Sequence, residues 1–120
     1  MITELRPNQV FVFGSNLAGH HAGGAARQAY EQFGAEWGVG AGLTGQCYGI
    51  PTMGGLDEIH RYVRQFLRVA ELLPQYEFLL TRIGTGIANH SVMDIAPMFI
   101  DLPFNVKLPQ EFIDYLDGMR

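Results

Sequence analysis

The chain has 120 residues and a mass of 13.3 kDa, with 48% apolar residues, 17% charged residues and a net charge of −4. That is one domain's length, because two independent cores would each be too small to hold themselves together, and the composition excludes a disordered or collagen-like chain. Eight Lys and Arg against twelve Asp and Glu exclude the basic footprint of a duplex-binding protein, though not a small anionic ligand held by backbone amides.

The first segment with structure is Gln9 to Phe13, whose VFVF core is apolar without alternation. That pattern predicts a strand buried on both faces, as in a parallel sheet. It ends at Gly14-Ser15-Asn16. After Gly23-Gly24 the spacing of Ala25, Ala26, Ala29, Tyr30 and Phe33 predicts an inward helix face, with Gly34 as its C′ residue. Residues 35–55 read as a loop and then a short strand at Gln46 to Ile50, closed by Pro51. A helix from Leu56 to Leu73 follows. Leu56, Ile59, Val63, Phe66, Leu67, Ala70 and Leu73 form its stripe, Asp57 and Glu58 suit its dipole, and Pro74 stops it.

Glu77 to Arg82 predicts a further strand, running into the turn Ile83-Gly84-Thr85-Gly86-Ile87. A helix from Ser91 to Phe99 follows, with His90 or Ser91 near its N-cap and Pro97 limiting or kinking it. Asn105 to Leu108 reads as a short last strand. Leu108-Pro109 opens a helix through Leu116, with Phe112, Ile113 and Leu116 inward. Alternating strands and helices predict one α/β domain over residues 1–120, three-layered, with a mostly parallel sheet and right-handed crossovers. Asn16 and Thr85 should then lie at the same edge of that sheet, since both follow strands of such units.

Glycine is the unusual count: 15 residues, against about 7% in an average chain. Twelve lie between Gly14 and Gly55, interleaved with Phe, Tyr, Trp and Leu, which points to packed structure rather than low complexity. Ligands of open α/β sheets bind at the carboxyl ends of strands, and helix N-termini there offer unpaired amides and partial positive charge. Two loops fit that description: Gly14 to Gly24, and Gly84 to His90. Side by side they would hold a diphosphate; the plainer alternative is that the glycines only make tight turns. A P-loop is not expected, because no G-x-x-x-x-G-K-[ST] occurs and Lys107 is the single lysine. Gly40-Ala41-Gly42-Leu43-Thr44-Gly45 matches G-x-G-x-x-G but lacks the strand before it and the helix after it that a Rossmann site needs.

Three segments in order carry a resemblance. FGSNLAG…AGGAARQA resembles the N-A-A-N…GGGV-x-G-A-I stretch of macro domains, GLTGQCYGIPT their T-x-G-Y-x-L-P segment, and TRIGTGIANHSVMDIA their I-S-T-G-I-Y-G-x-P turn. Together they span roughly half of the chain, and the ordered trio is more specific than any one of them. The opening FVFGSN-AG-H-GAA also resembles a set of small bacterial and phage proteins. Macro domains bind ADP-ribose, and some remove it from proteins or metabolites. The resemblance implies Asn16 at the distal ribose. It implies Gly23, Gly24 and Ala25 at the diphosphate, and Gly84, Thr85, Gly86, Ile87 and Ala88 at the diphosphate and ribose. Tyr48 and Pro51 match structural positions. The chain departs in two places: only MITELRPNQ precedes the first strand, with no adenine-recognising aspartate, and Asn89-His90 replaces the usual aromatic residue.

Among side chains able to do chemistry, His20, His21 and His90 sit in the two loops. They are candidate acid/base or phosphate partners, or else loop hydrogen-bonding groups; metal binding is not expected of adjacent, divergent histidines. Arg27 and Arg82 could each reach a phosphate, or be solvated. Ser15 and Thr85 are nucleophiles only beside a base. Trp37 would stack on a base or sugar, or cover the core. Cys47, the single cysteine, reads as a buried structural thiol. The expectation is a protein of the cytoplasm, with no signal-peptide core or membrane span and no cofactor. It binds an ADP-ribose-like or other phosphorylated nucleoside through Gly14, Ser15, Asn16, Gly23, Gly24, Ala25, Arg27, Gly84 to Ala88 and His90. Any hydrolysis would use Asn16 and His21. The alternative is a non-enzymatic interaction module whose glycine-rich face packs on a partner.

Overall fold

Strand β1 (Gln9–Ser15) is apolar on both faces and sits at the centre of the sheet. In the computed structural model, which describes residues 2–119, β1 pairs in parallel with β3 (Cys47–Pro51) on one side. On its other side it pairs in parallel with β4 (Glu77–Leu80). β5 (Val106–Lys107) extends the sheet in parallel beyond β4, and β2 (Gly42–Thr44) closes the far edge antiparallel to β3. The order β2-β3-β1-β4-β5 makes a mixed, mostly parallel α/β sheet.

The pleat divides the core in two. Val10 and Val12 of β1 join Tyr48, Ile50, Phe78 and Leu80. They pack against α2 (Leu56–Leu72), α3 (Val92–Ile95), the 3-10 turn Ala96–Phe99 and α4 (Gln110–Gly118). Phe11 and Phe13 point the other way and meet Cys47, Ala35 and Ala29 of α1 (Gly24–Gln32). β1 thus contributes alternate residues to two layers of helix, which is why its sequence does not alternate.

The ends of the elements follow their sequence signals. Gly34 takes the left-handed φ of +83° just after α1. Ser91 and Asp94 form a reciprocal capping box on α3, each side chain accepting from the other's amide at 3.2 Å. Asn105 is buried, and its Nδ2 donates to the carbonyls of Ala70, Leu73 and Tyr76 at 3.0, 3.1 and 3.0 Å. It thereby ties the last turn of α2 to the start of β5.

Four expectations need correction. β2 is a strand where the sequence suggests loop; three residues, two of them glycine or threonine, give too short an apolar pattern to read. Tyr30 is 45% exposed rather than inward: Ala25, Ala26, Ala29 and Phe33 make the contact with β1, and Tyr30 lies to the side against His21 and Trp37. Ile113 is exposed while its neighbour Phe112 is fully buried. The helix expected from Ser91 to Phe99 is α-helical only to Ile95, so Pro97 limits it rather than kinking it and sits in the 3-10 turn that follows.

Many glycines of residues 19–49 serve packing of backbone on backbone. A Cβ at Gly40 would overlap the Asn16 carbonyl oxygen, and one at Gly19 would overlap the Gly38–Val39 peptide. The loop after β1 and the loop before β2 therefore lie directly against each other. Among the described residues no helix is long and apolar enough to cross a membrane.

Candidate functional site

The carboxyl ends of β1 and β4 open onto one cleft of about 980 Å³, near the upper end of the roughly 300–1,000 Å³ of ligand pockets. Asn16 and Thr85 both border it, one after each of these adjacent parallel strands, as the β-α reading expects. The two loops touch at its centre: a Cβ on Gly14 would stand 3.6 Å from the Gly84 amide nitrogen.

The first wall is the segment from Ser15 to α1. Asn16 braces it with both ends of its amide. Oδ1 accepts from the His20 amide at 2.9 Å, and Nδ2 donates to the His20 carbonyl at 3.0 Å. Ser15 Oγ donates to the Gly40 carbonyl. At the head of α1 the cap residue Gly23 provides no side chain, and the first turn contains no acidic residue. The first helical bond there runs from Arg27 N–H to the Gly23 carbonyl at 3.2 Å. The amides of Gly24, Ala25 and Ala26 precede it, lie beside the cleft and have no side-chain cap.

The second wall is the turn after β4. Gly84 holds φ at +75°, and its carbonyl accepts from the His90 amide at 2.9 Å, which closes the loop. Thr85 Oγ1 donates to the Arg82 carbonyl at 2.9 Å. Between these anchors, the amides of Gly84, Thr85, Gly86, Ile87 and Ala88 find no acceptor among the described residues. Five successive open main-chain donors beside a cleft are groups from which an anion accepts. Ile87 stands at the tip of this wall, 92% exposed.

Beyond the glycine loops the cleft crosses to β5. Leu79 of β4 and Lys107 of β5, register partners, line this part. So do Leu108, Pro109 and Glu111 at the head of α4. Arg82 Nη1 lies 2.9 Å from Glu111 Oε2, and Lys107 Nζ donates to the Phe104 carbonyl at 3.3 Å. None of these β5-side residues stands out in the sequence. Only the pairing of β5 with β4 brings them to the cleft, and strand order is not written in local pattern.

Of the expected site residues, Gly14, Ser15, Asn16, Gly23, Gly24, Ala25 and Gly84 to Ala88 line the cleft. Three others are placed elsewhere. His21 is 1% exposed, with its ring edge-on to Phe13 at 5.3 Å and to Trp37 at 6.1 Å. Its Nε2 is bonded to the Glu36 carbonyl at 2.9 Å, which assigns that nitrogen the proton and leaves Nδ1 a buried lone pair without a partner. A ring so enclosed is a core residue, out of reach of a ligand. Arg27 turns outward and pairs with Glu31 at 3.3 Å, one helical turn away. His90 closes its loop through its backbone and does not line the cleft. Its neighbour in the sequence reading, His20, does line the cleft, stacked on Trp37 at 5.4 Å with 15° between planes. Trp37 is half-exposed and roofs His21, so it covers the core while holding the first loop through His20.

Cys47 is fully buried beside the Ala29 and Phe33 carbonyls, and burial pushes its thiol up to about 12. A thiol with so little thiolate is neither nucleophile nor ligand. Among the described residues no three His, Cys, Asp or Glu side chains are grouped to hold a metal ion. Comparison of the chain with protein-family models, with curated proteins and with solved structures gives no match.

Proposed function

We propose that the cleft binds a phosphorylated nucleoside of the ADP-ribose type, with its diphosphate held by backbone amides of the two glycine loops. The observation that carries the reading is the row of unpaired amides from Gly84 to Ala88, on residues that line the same cleft as the uncapped head of α1. The absence of an acidic residue in the first turn of α1 keeps that end free for an anion. The first and third of the ordered segments that resemble macro domains support the same ligand class, since Gly14, Gly23, Gly24, Gly84 and Gly86 border this cleft.

The reading is of a binder. Asn16, Ser15 and Thr85 spend their side-chain hydrogen bonds on the walls of the cleft, and His21 is enclosed in the core. These groups shape the site rather than face a reacting atom.

The test is isothermal titration with ADP-ribose, competed by inorganic pyrophosphate. Saturable binding that pyrophosphate displaces is expected. Gly86→Glu should abolish it, because a side chain there enters open space, at a φ outside the left-handed region, and brings a carboxylate to the anion site. Absence of saturable binding at about 1 mM ligand, where even −4 kcal/mol of binding would register, would overturn the proposal and favour an interaction surface instead.

A further inference from the structure

Away from the cleft, the cations of this acidic chain are unevenly spread. Three of its eight Lys and Arg, namely Arg61, Arg64 and Arg68, recur on α2 at i, i+3 and i+7, which sets them in one row along the helix. All three are exposed, and none is in an ion pair among the described residues, whereas Arg27 and Arg82 each have a carboxylate partner. Like charges on neighbouring turns repel, so the row costs α2 stability rather than adding to it. It borders a shallow groove of about 570 Å³ whose other lining residues are Tyr48, Gln65 and Val69. No carboxylate lines this groove, and none of its residues borders the cleft.

Tyr48 is a second, independent sign. It is 5% exposed and its ring packs on Phe66 at 5.0 Å, yet its hydroxyl makes no hydrogen bond among the described residues and is not enclosed, so it opens on the groove that Tyr48 lines. Its cross-strand partner is Leu43 of β2, on the same face and 43% exposed. β2 is the last strand on that side of the sheet, with nothing paired to its outer edge. Thr44 and Cys47 flank the two-residue turn Gly45-Gln46 and form its hydrogen-bonded pair. Leu43 and Tyr48 are then the non-bonded pair, and the N–H and carbonyl of Leu43 point away from β3. An arginine row, a free hydroxyl and an open strand edge thus adjoin one another.

We propose that this face docks an extended acidic segment of a partner protein, added as a strand beside β2 with its carboxylates on the arginine row and the Tyr48 hydroxyl. Residues on one face of a strand recur about every 6.7 Å, and the row spans about 10 Å along α2, so two or three alternate acidic residues match it. A second copy of this chain fits poorly, because antiparallel pairing of two β2 strands turns the two arginine rows toward each other. Single-stranded nucleic acid is disfavoured because the one aromatic ring in the groove, Tyr48, is packed on Phe66 and has no face free for a base. The inference is independent of what the cleft binds.

The test is fluorescence anisotropy of labelled octapeptides, alternating Glu-Thr or alternating Lys-Thr, titrated with the full chain at low salt. The Glu-Thr peptide should bind saturably and the Lys-Thr peptide should not. Arg64→Glu should weaken binding about tenfold, and Arg64→Gln by less. Arg6→Glu, the same change of charge at an exposed residue outside the groove, should leave binding nearly unchanged. Of two Glu-Thr peptides, one N-methylated on every Glu and one on every Thr, one should lose binding and the other keep it, because alternate amides of a strand face the same side. Identical behaviour of the two overturns the added strand. No saturable binding of the Glu-Thr peptide, an equal loss in Arg6→Glu, or tighter binding of labelled oligothymidylate overturns the proposal as a whole.

Discussion

Gly23→Asp should stabilise the protein while destroying its anion site. Gly23 is the N-cap of α1, with φ −156° and ψ 167°, the extended conformation any residue adopts at a cap. A Cβ there meets nothing within 4 Å. An aspartate would accept from the free amide of Ala25 or Ala26, contributing a few tenths of a kcal/mol over glycine, with about 0.3–1 kcal/mol more from the helix dipole. Loss of glycine freedom in the unfolded chain adds about 0.4–1 kcal/mol. The sum, roughly 1–2 kcal/mol, should raise the melting temperature by several degrees in a domain of this size. The same carboxylate would stand about 4 Å from a bound phosphate, a repulsion of about 4 kcal/mol at an effective dielectric of 20. Screening that leaves two thirds of it weakens binding about 100-fold. With ADP-ribose at 100 times the wild-type Kd, ligand stabilisation should drop from about 2.7 kcal/mol to about 0.4 kcal/mol. Differential scanning calorimetry with and without ligand reads both effects. A variant that melts higher yet keeps the full ligand shift would show that the head of α1 is not part of the site. A variant that melts lower would refute the reading of Gly23 as an open cap.

Other expectations follow from single side chains. Asn16→Ala removes both bonds to His20 and should lower stability by about 1–2 kcal/mol, with faster proteolysis of the loop after β1; unchanged cleavage would show that the loop holds itself. His21→Ala empties a fully buried site among aromatic rings and should cost about 3 kcal/mol in urea unfolding, whereas a surface histidine would cost little. Cys47 should resist thiol reagents in the native state and react fully in denaturant. Its thiol is raised by burial to about 12 from an unfolded value near 9. The folded state therefore holds the proton more tightly, and stability should fall as pH rises from about 9 to 12 and stay unaffected by this group below 9. Cys47→Ala should flatten that alkaline decline.

The strands were legible because burial on both faces leaves an uninterrupted apolar run, as in Val10 to Phe13, and because prolines punctuate the elements, Pro51 as the last residue of β3 and Pro74 just after α2. The α2 stripe of Ile59, Val63, Phe66 and Ala70 was legible for the same reason: all four are fully buried at helical spacing. What local pattern could not supply was neighbourhood. Glu111, Lys107 and Leu79 share a cleft only through the order β1-β4-β5, and each looks ordinary where it stands in the sequence. His21 failed in the opposite direction. Its place in a polar, glycine-rich loop suggests a solvent-facing group, yet Phe13, Tyr30 and Trp37 enclose it.

Besides the left-handed turns at residues such as Gly34 and Gly84, the glycine excess has two physical origins that the sequence alone cannot separate. Gly19 and Gly40 are required because another backbone occupies the space of a side chain, so substitution there breaks the fold. Gly23 and Gly86 face open space at ordinary φ, so the fold itself tolerates a side chain at both. Glycines of the first kind bring the loop before β2 against the loop after β1 and so fix the position of Asn16. Those of the second kind keep the mouth of the cleft clear of Cβ atoms and its amides exposed. Gly55 and Gly118 also face open space away from the cleft, so an unobstructed glycine alone does not mark a ligand site; Gly23 and Gly86 argue for one because they stand beside unpaired amides at the cleft.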